Sequence, residues 1–317
     1  ARLPHHHHHH RRHRHRASTR LRMAKCDCGV CDGEGRIVGG LGAIFPWAPK
    51  AYRPCPVFEA KGGQYLTRSG KAARYGEIGV EPSQQSRSYM FDELGVSVAL
   101  KQAPSRYVAS ADGTGFVSWG GGFALAELLQ RGGGGGVPAL PASFEGVRVM
   151  ELGTGLGLVS IVAAMLGAEV TATDGVTDLV QLATANAEAN LPPAQRARFR
   201  AAALRWGDDA GLRELVASVG APDVVVMADT VYDSNRGAWG ALVETLTALG
   251  SGAVCEAPRV VVWAHASRDD SSRTALDAEI LAPLRLSYDV TELKQSSLHP
   301  AYQGSNLRMF AMTPKGP

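Results

Sequence analysis

The strongest chemical signal is a strand that runs into clustered glycines. Val147 to Leu152 is apolar apart from Arg148 and Glu151, and Gly153-Thr154-Gly155-Leu156-Gly157-Leu158 follows it. Glycines at this spacing allow a tight turn and close backbone approach by a ligand, and the helix that follows would offer free N–H groups. The dinucleotide fingerprint puts its third glycine one place later, at position 158, which is Leu here. An acid just before the glycines, Glu151, suits a cationic cofactor better than a pyrophosphate. The pattern therefore points to the sulfonium of S-adenosylmethionine, with an ordinary glycine-rich turn as the alternative.

Two more carboxylates end apolar strands. Asp174 closes Thr171-Ala172-Thr173 and precedes Gly175. There it can accept hydrogen bonds from both ribose hydroxyls of a nucleoside cofactor, or simply start a turn. Asp229 follows the run Val224-Val225-Val226-Met227-Ala228 and is followed by Thr230-Val231-Tyr232. Methylases acting on nucleic-acid bases usually carry Asn/Asp-Pro-Pro-aromatic at that place. The absence of proline argues against nucleic acid as the partner.

A cluster of thiols lies far upstream, at Cys26, Cys28 and Cys31, with Cys55 beyond. Four thiolates could hold a tetrahedral zinc ion. The spacing departs from paired C-x-x-C motifs, and free thiols in a loose segment are the alternative.

Composition removes several classes. The chain has 317 residues and a formal charge of +3, but eight basic residues and no acid lie before residue 26. The remainder carries 25 basic against 30 acidic residues, so it lacks the basic excess of a phosphate-tracking protein. Of the ten histidines only His265 and His299 lie outside that tail, too few for a histidine-rich metal centre. No apolar run approaches the roughly 18 residues of a membrane span, so no membrane partner is expected.

These groups must be positioned by three regions. Residues 1–22 are a disordered His/Arg-rich tail: a tag, upstream sequence, or an Arg-rich transit peptide. Residues 23–115 form a Cys-containing accessory segment. Residues 116–317 alternate strands and helices, which argues for a parallel sheet. A helix is expected over 116–131, then a flexible glycine linker over 132–136. Strands are expected at 147–152, 169–174, 199–204, 223–228, 259–266, 286–291 and 307–312. Helices are expected at 158–166, 176–189, 212–218, 238–249 and 275–284.

On these residues the chain resembles the family-16 seven-strand methyltransferases, the group containing many protein-lysine methyltransferases. The shared features are Glu-Leu-Gly-x-Gly-x-Gly, Thr173-Asp174, Leu204-Arg205-Trp206-Gly207 and Ala228-Asp229-x-x-Tyr232. Asn186, Asn190 and an upstream tryptophan, Trp119, belong with them. The resemblance implies an α/β, Rossmann-like seven-stranded sheet with helices on both faces and an antiparallel last strand. An irregular N-terminal segment precedes it. It implies S-adenosylmethionine contacts at Trp119, Gly153, Thr154, Gly155, Asp174, Trp206 and Ala228, to which the glycine motif adds Glu151 and Gly157. It further implies methylation of a protein, most often on lysine; a cytoplasmic monomer is expected, or an organellar one if the tail is a transit peptide. Asp229 is then expected to orient the acceptor amine and Tyr232 to wall its channel. Small-molecule methylation and non-catalytic cofactor binding are the rival readings.

Overall fold

The computed structural model describes residues 84–315 except 92, 108–112, 268, 300–301 and 304. It also gives the backbone of four short strands at 36–39, 51–54, 65–66 and 72–73. The tail and Cys26, Cys28, Cys31 and Cys55 lie outside the described residues. Among the described residues no cluster of three or more His, Cys, Asp or Glu could hold a metal ion.

A hairpin of β1 (Ser86–Phe91) and β2 (Val96–Lys101) comes first, then α1 (Gly120–Gln130). The alternating part follows as β3 (Arg148–Leu152), α2 (Leu158–Met165), β4 (Glu169–Asp174), α3 (Thr177–Asn190) and β5 (Phe199–Ala203). It continues through α4 (Asp209–Val219), β6 (Val224–Ala228), α5 (Trp239–Gly250) and β7 (Val260–Ala266). It ends with α6 (Asp270–Leu276), α7 (Ala282–Ser287), β8 (Tyr288–Glu292) and β9 (Leu307–Pro314). A π turn, Asp277–Leu281, joins α6 to α7 just before Pro283, whose ring cannot donate to the ladder.

The seven strands β3 to β9 form one sheet in the order β8-β9-β7-β6-β3-β4-β5. The pairings β6–β7, β6–β3, β3–β4 and β4–β5 are parallel. β9 runs antiparallel to both β7 and β8. The strand order reverses between β3 and β6, the place where ligands of open α/β sheets bind beyond the strand C-termini.

Burial follows the strand period of two. Val224 and Val226 pack on one face with α1, α2 and the hairpin, while Val225 and Met227 pack on the other with α4, α5 and α6–α7. Both faces are covered, which is why β6 reads as an unbroken apolar run. Helix α2 is buried from Leu158 to Ala164, consistent with apolar residues all round it.

Two sequence expectations change. The glycine run is a 3-10 turn, Gly132–Gly135, rather than a flexible linker. A Cβ on Gly132 would meet Pro141 O at 2.8 Å and one on Gly133 would meet Leu140 O at 2.9 Å, so the run is glycine because it is packed. The division at 115/116 also cuts through one core. Tyr89, Phe91, Val98 and Leu100 of the hairpin share it with Phe123 of α1 and with α2. The Tyr89 and Phe123 rings stack 5.4 Å apart.

Candidate cofactor and acceptor site

The turn after β3 needs glycine for geometric reasons. Gly153, Gly155 and Gly157 have φ of 72°, 52° and 88°, the left-handed region. A Cβ on Gly153 would sit 2.8 Å from Thr230 Cγ2 and 3.5 Å from the Trp206 ring. The turn is tied to β4, because Thr154 N donates to Thr173 O (2.8 Å) and Gly155 N to Asp174 Oδ2 (3.0 Å).

Glu151 lies beneath this turn at 2% exposure. Its Oε2 accepts from Thr154 Oγ1 (2.7 Å), Ser160 Oγ (2.5 Å) and Ser160 N (3.1 Å). Burial pushes its carboxyl up to about 7, against the lowering effect of those hydrogen bonds. Burial also raises Asp174, opposed by the backbone N–H groups of Val176, Gly155 and Gly175. Asp174 Oδ1 accepts from Val176 N (3.0 Å). Three backbone donors on two oxygens leave lone-pair capacity for a ligand hydroxyl.

Asp229 ends β6 with φ of 49°, the single non-glycine residue in that region among the described residues. Its Oδ2 accepts from Gly121 N (2.7 Å), at the start of α1, and its Oδ1 from Ala266 N (2.9 Å), at the end of β7. A Cβ on Gly121 would come within 2.5 Å of Oδ2, so the glycines after Trp119 let this carboxylate cap the helix. Asn235 fixes the following loop: its Oδ1 accepts from Tyr232 N and Trp239 Nε1, both at 2.9 Å, and its Nδ2 donates to Thr230 O (2.8 Å).

Trp119, Glu151, Gly153, Thr154, Gly155, Asp174, Trp206, Ala228, Asp229 and Tyr232 all line one cavity of about 310 Å³ at the switch point. That volume is at the lower end for small-molecule sites. Gly157 stands apart. It packs on Ala183 of α3, where a Cβ would come within 3.3 Å, and it N-caps α2. Sequence reasoning missed Thr114, Gly115, Ser118 and Thr230, which also line the cavity. The first three sit in a connecting segment with no motif. Thr230 was adjacent to a named residue, and its Oγ1 is buried without a partner.

A seven-strand sheet of this order, with a glycine turn and two strand-ending carboxylates at its switch point, defines the Rossmann-like methyltransferase fold class. Residues 108–278 match the family described as lysine methyltransferase, and the chain belongs to that family. It is 36% identical over 140 residues to protein N-lysine methyltransferase METTL21A of Danio rerio, covering 44% of this chain and 57% of that protein. It is 44% identical over 89 residues to EEF1A lysine methyltransferase 3 of Mus musculus, covering 28% of this chain and 35% of that protein. The chain thus spans about half or less of the length of these curated relatives. Among solved structures, the methyltransferase domain of bacterial CtHen1-CN matches with a TM-score of 0.40 at 15% identity, covering 52% of this chain and 89% of that one.

Proposed function

We propose that this chain transfers a methyl group from S-adenosylmethionine to a protein side chain, the ε-amine of lysine. The observation that carries the reading is the cavity where Gly153, Gly155, Asp174 and Trp206 meet at the switch point of a lysine methyltransferase family member. The residues fit the cofactor. Side chains on the glycines would fill the cradle, and Trp206 offers a flat apolar wall. Bound there, the cofactor supplies a sulfonium methyl already activated for transfer.

The protein's task is then alignment of the acceptor with that methyl. In this reading Asp174 accepts from the ribose hydroxyls, and Glu151 with Thr154 fixes the turn. Tyr232 walls the acceptor side, where its ring face favours a cationic amine. The lysine reacts after losing a proton, because an ammonium has no lone pair. We assign Asp229 to positioning, since its carboxylate ties Gly121 N at the start of α1 to Ala266 N at the end of β7.

The test is incubation of the purified chain with methyl-labelled cofactor and a cell lysate. Label in a protein band supports the reading; label confined to the small-molecule fraction supports small-molecule methylation instead, and overturns it.

A further inference from the structure

One edge of β2 is covered by side chains of α3 instead of a strand. Asn190 Oδ1 accepts from Ala99 N (2.8 Å) and its Nδ2 donates to Ala99 O (2.9 Å). One helical turn earlier Asn186 repeats the pairing on Lys101, accepting from its N (2.8 Å) and donating to its O (3.2 Å). A carboxamide offers a donor and an acceptor side by side, as a peptide unit does. Four residues of helix rise about 6 Å and two of strand about 6.7 Å, so the two asparagines meet alternate strand residues in register.

Asn186 reaches further. Its Nδ2 also donates to Leu156 O (2.9 Å), inside the glycine turn. From Lys101 the chain passes to buried Gln102, whose Oε1 accepts from Ser118 N (2.7 Å). Ala103 N donates to Phe116 O (3.0 Å), and the Tyr89 and Ser118 hydroxyls lie 2.6 Å apart. The Arg106 guanidinium sits over the Phe116 ring at 4.3 Å. The cavity wall of Thr114, Gly115, Ser118 and Trp119 is therefore held from the hairpin side by these contacts, and from the far side by the Asp229 bond to Gly121.

We infer that Asn186 and Gln102 are positioning residues for cofactor binding: the hairpin is a buckle that fastens the wall carrying Trp119 to the glycine turn. This deepens the cofactor reading above and rests on it. The wall belongs to no strand of the sheet, so its preorganisation comes from the buckle together with the Asp229 bond, and loosening it must be reversed each time the cofactor binds.

The experiment combines amide hydrogen exchange over residues 114–119 with titration of S-adenosylhomocysteine into the full chain. Gln102→Leu removes the acceptor for Ser118 N without touching the sheet or the turn. Gln102→Glu retains that acceptor and replaces the donation to Gln84 O. Asn186→Leu opens the link to Leu156. Both leucine variants should exchange about tenfold faster at 114–119 and bind about tenfold more weakly. Cofactor KM should rise with kcat at saturation retained, and Gln102→Glu should stay near wild type. Unchanged exchange and affinity in folded Gln102→Leu overturns the proposal. So does exchange that quickens equally throughout the molecule, or a Glu variant as impaired as the Leu one. Failure of the wild type to bind S-adenosylhomocysteine would overturn the cofactor reading instead. Exchange at 114–119 would then decide the buckle alone: faster local exchange supports it and unchanged exchange refutes it.

Discussion

Replacing Asp229 by Asn separates a positioning carboxylate from one that handles the acceptor. Asn tolerates a φ of 49°, so the backbone can stay as it is. One of the two side-chain acceptors survives, and the other position becomes an NH₂ that faces a backbone N–H of Gly121 or Ala266. A hydrogen bond to a charged group contributes about 1.5–3 kcal/mol. A negative charge at a helix N-terminus adds about 0.3–1 kcal/mol. The expected loss is about 2–4 kcal/mol of stability, with weaker cofactor binding because α1 carries Trp119 at its start. Asp229→Ala should lose more, since both bonds go and alanine is strained at positive φ. Urea denaturation, cofactor titration and methyl transfer on the same protein are the assay. Stability within about 0.5 kcal/mol of wild type, with transfer down 100-fold or more, would refute the positioning argument and return Asp229 to the acceptor amine.

Glu151 gives a pH prediction. Its folded carboxyl titrates near 7 against an ordinary 4.5, so between those values the folded state holds a proton that the unfolded chain has released. Stability should therefore fall as pH rises from about 4.5 to 7 and be level above, by on the order of 3 kcal/mol at most. Glu151→Gln should flatten that slope in urea midpoints measured at pH 5 and 7.5; an unchanged slope contradicts the assignment. Gly155→Arg should abolish S-adenosylmethionine binding by calorimetry while the far-UV spectrum is retained, because its side chain starts within 3.3 Å of Gly115 O and enters the cavity. Trp206→Ala should weaken binding roughly tenfold through loss of the apolar wall, with transfer at saturating cofactor changed much less.

Much of the sheet was legible because its central strands are mostly apolar and its turns carry glycine or Asp. β4 spans the expected 169–174, and the other strands shift by one or two residues. The helix expected at 275–284 proved part of a longer run through a π turn, which no periodicity reports. The candidate residues on strand ends met in one cavity because parallel strands bring their C-termini together. The wall at 114–118 was not legible, since its place depends on side-chain bonds to a hairpin far from any motif. The glycine run at 132–136 misled because composition cannot tell a flexible linker from a packed turn.

The central claim is methyl transfer to a lysine side chain from a cofactor held at the glycine turn. Its most direct measurement is tandem mass spectrometry of the protein labelled by wild type and by Gly155→Arg. The account predicts methylated lysine with wild type and none with the variant. Methyl groups on another side chain, or equal lysine methylation by both proteins, would contradict it.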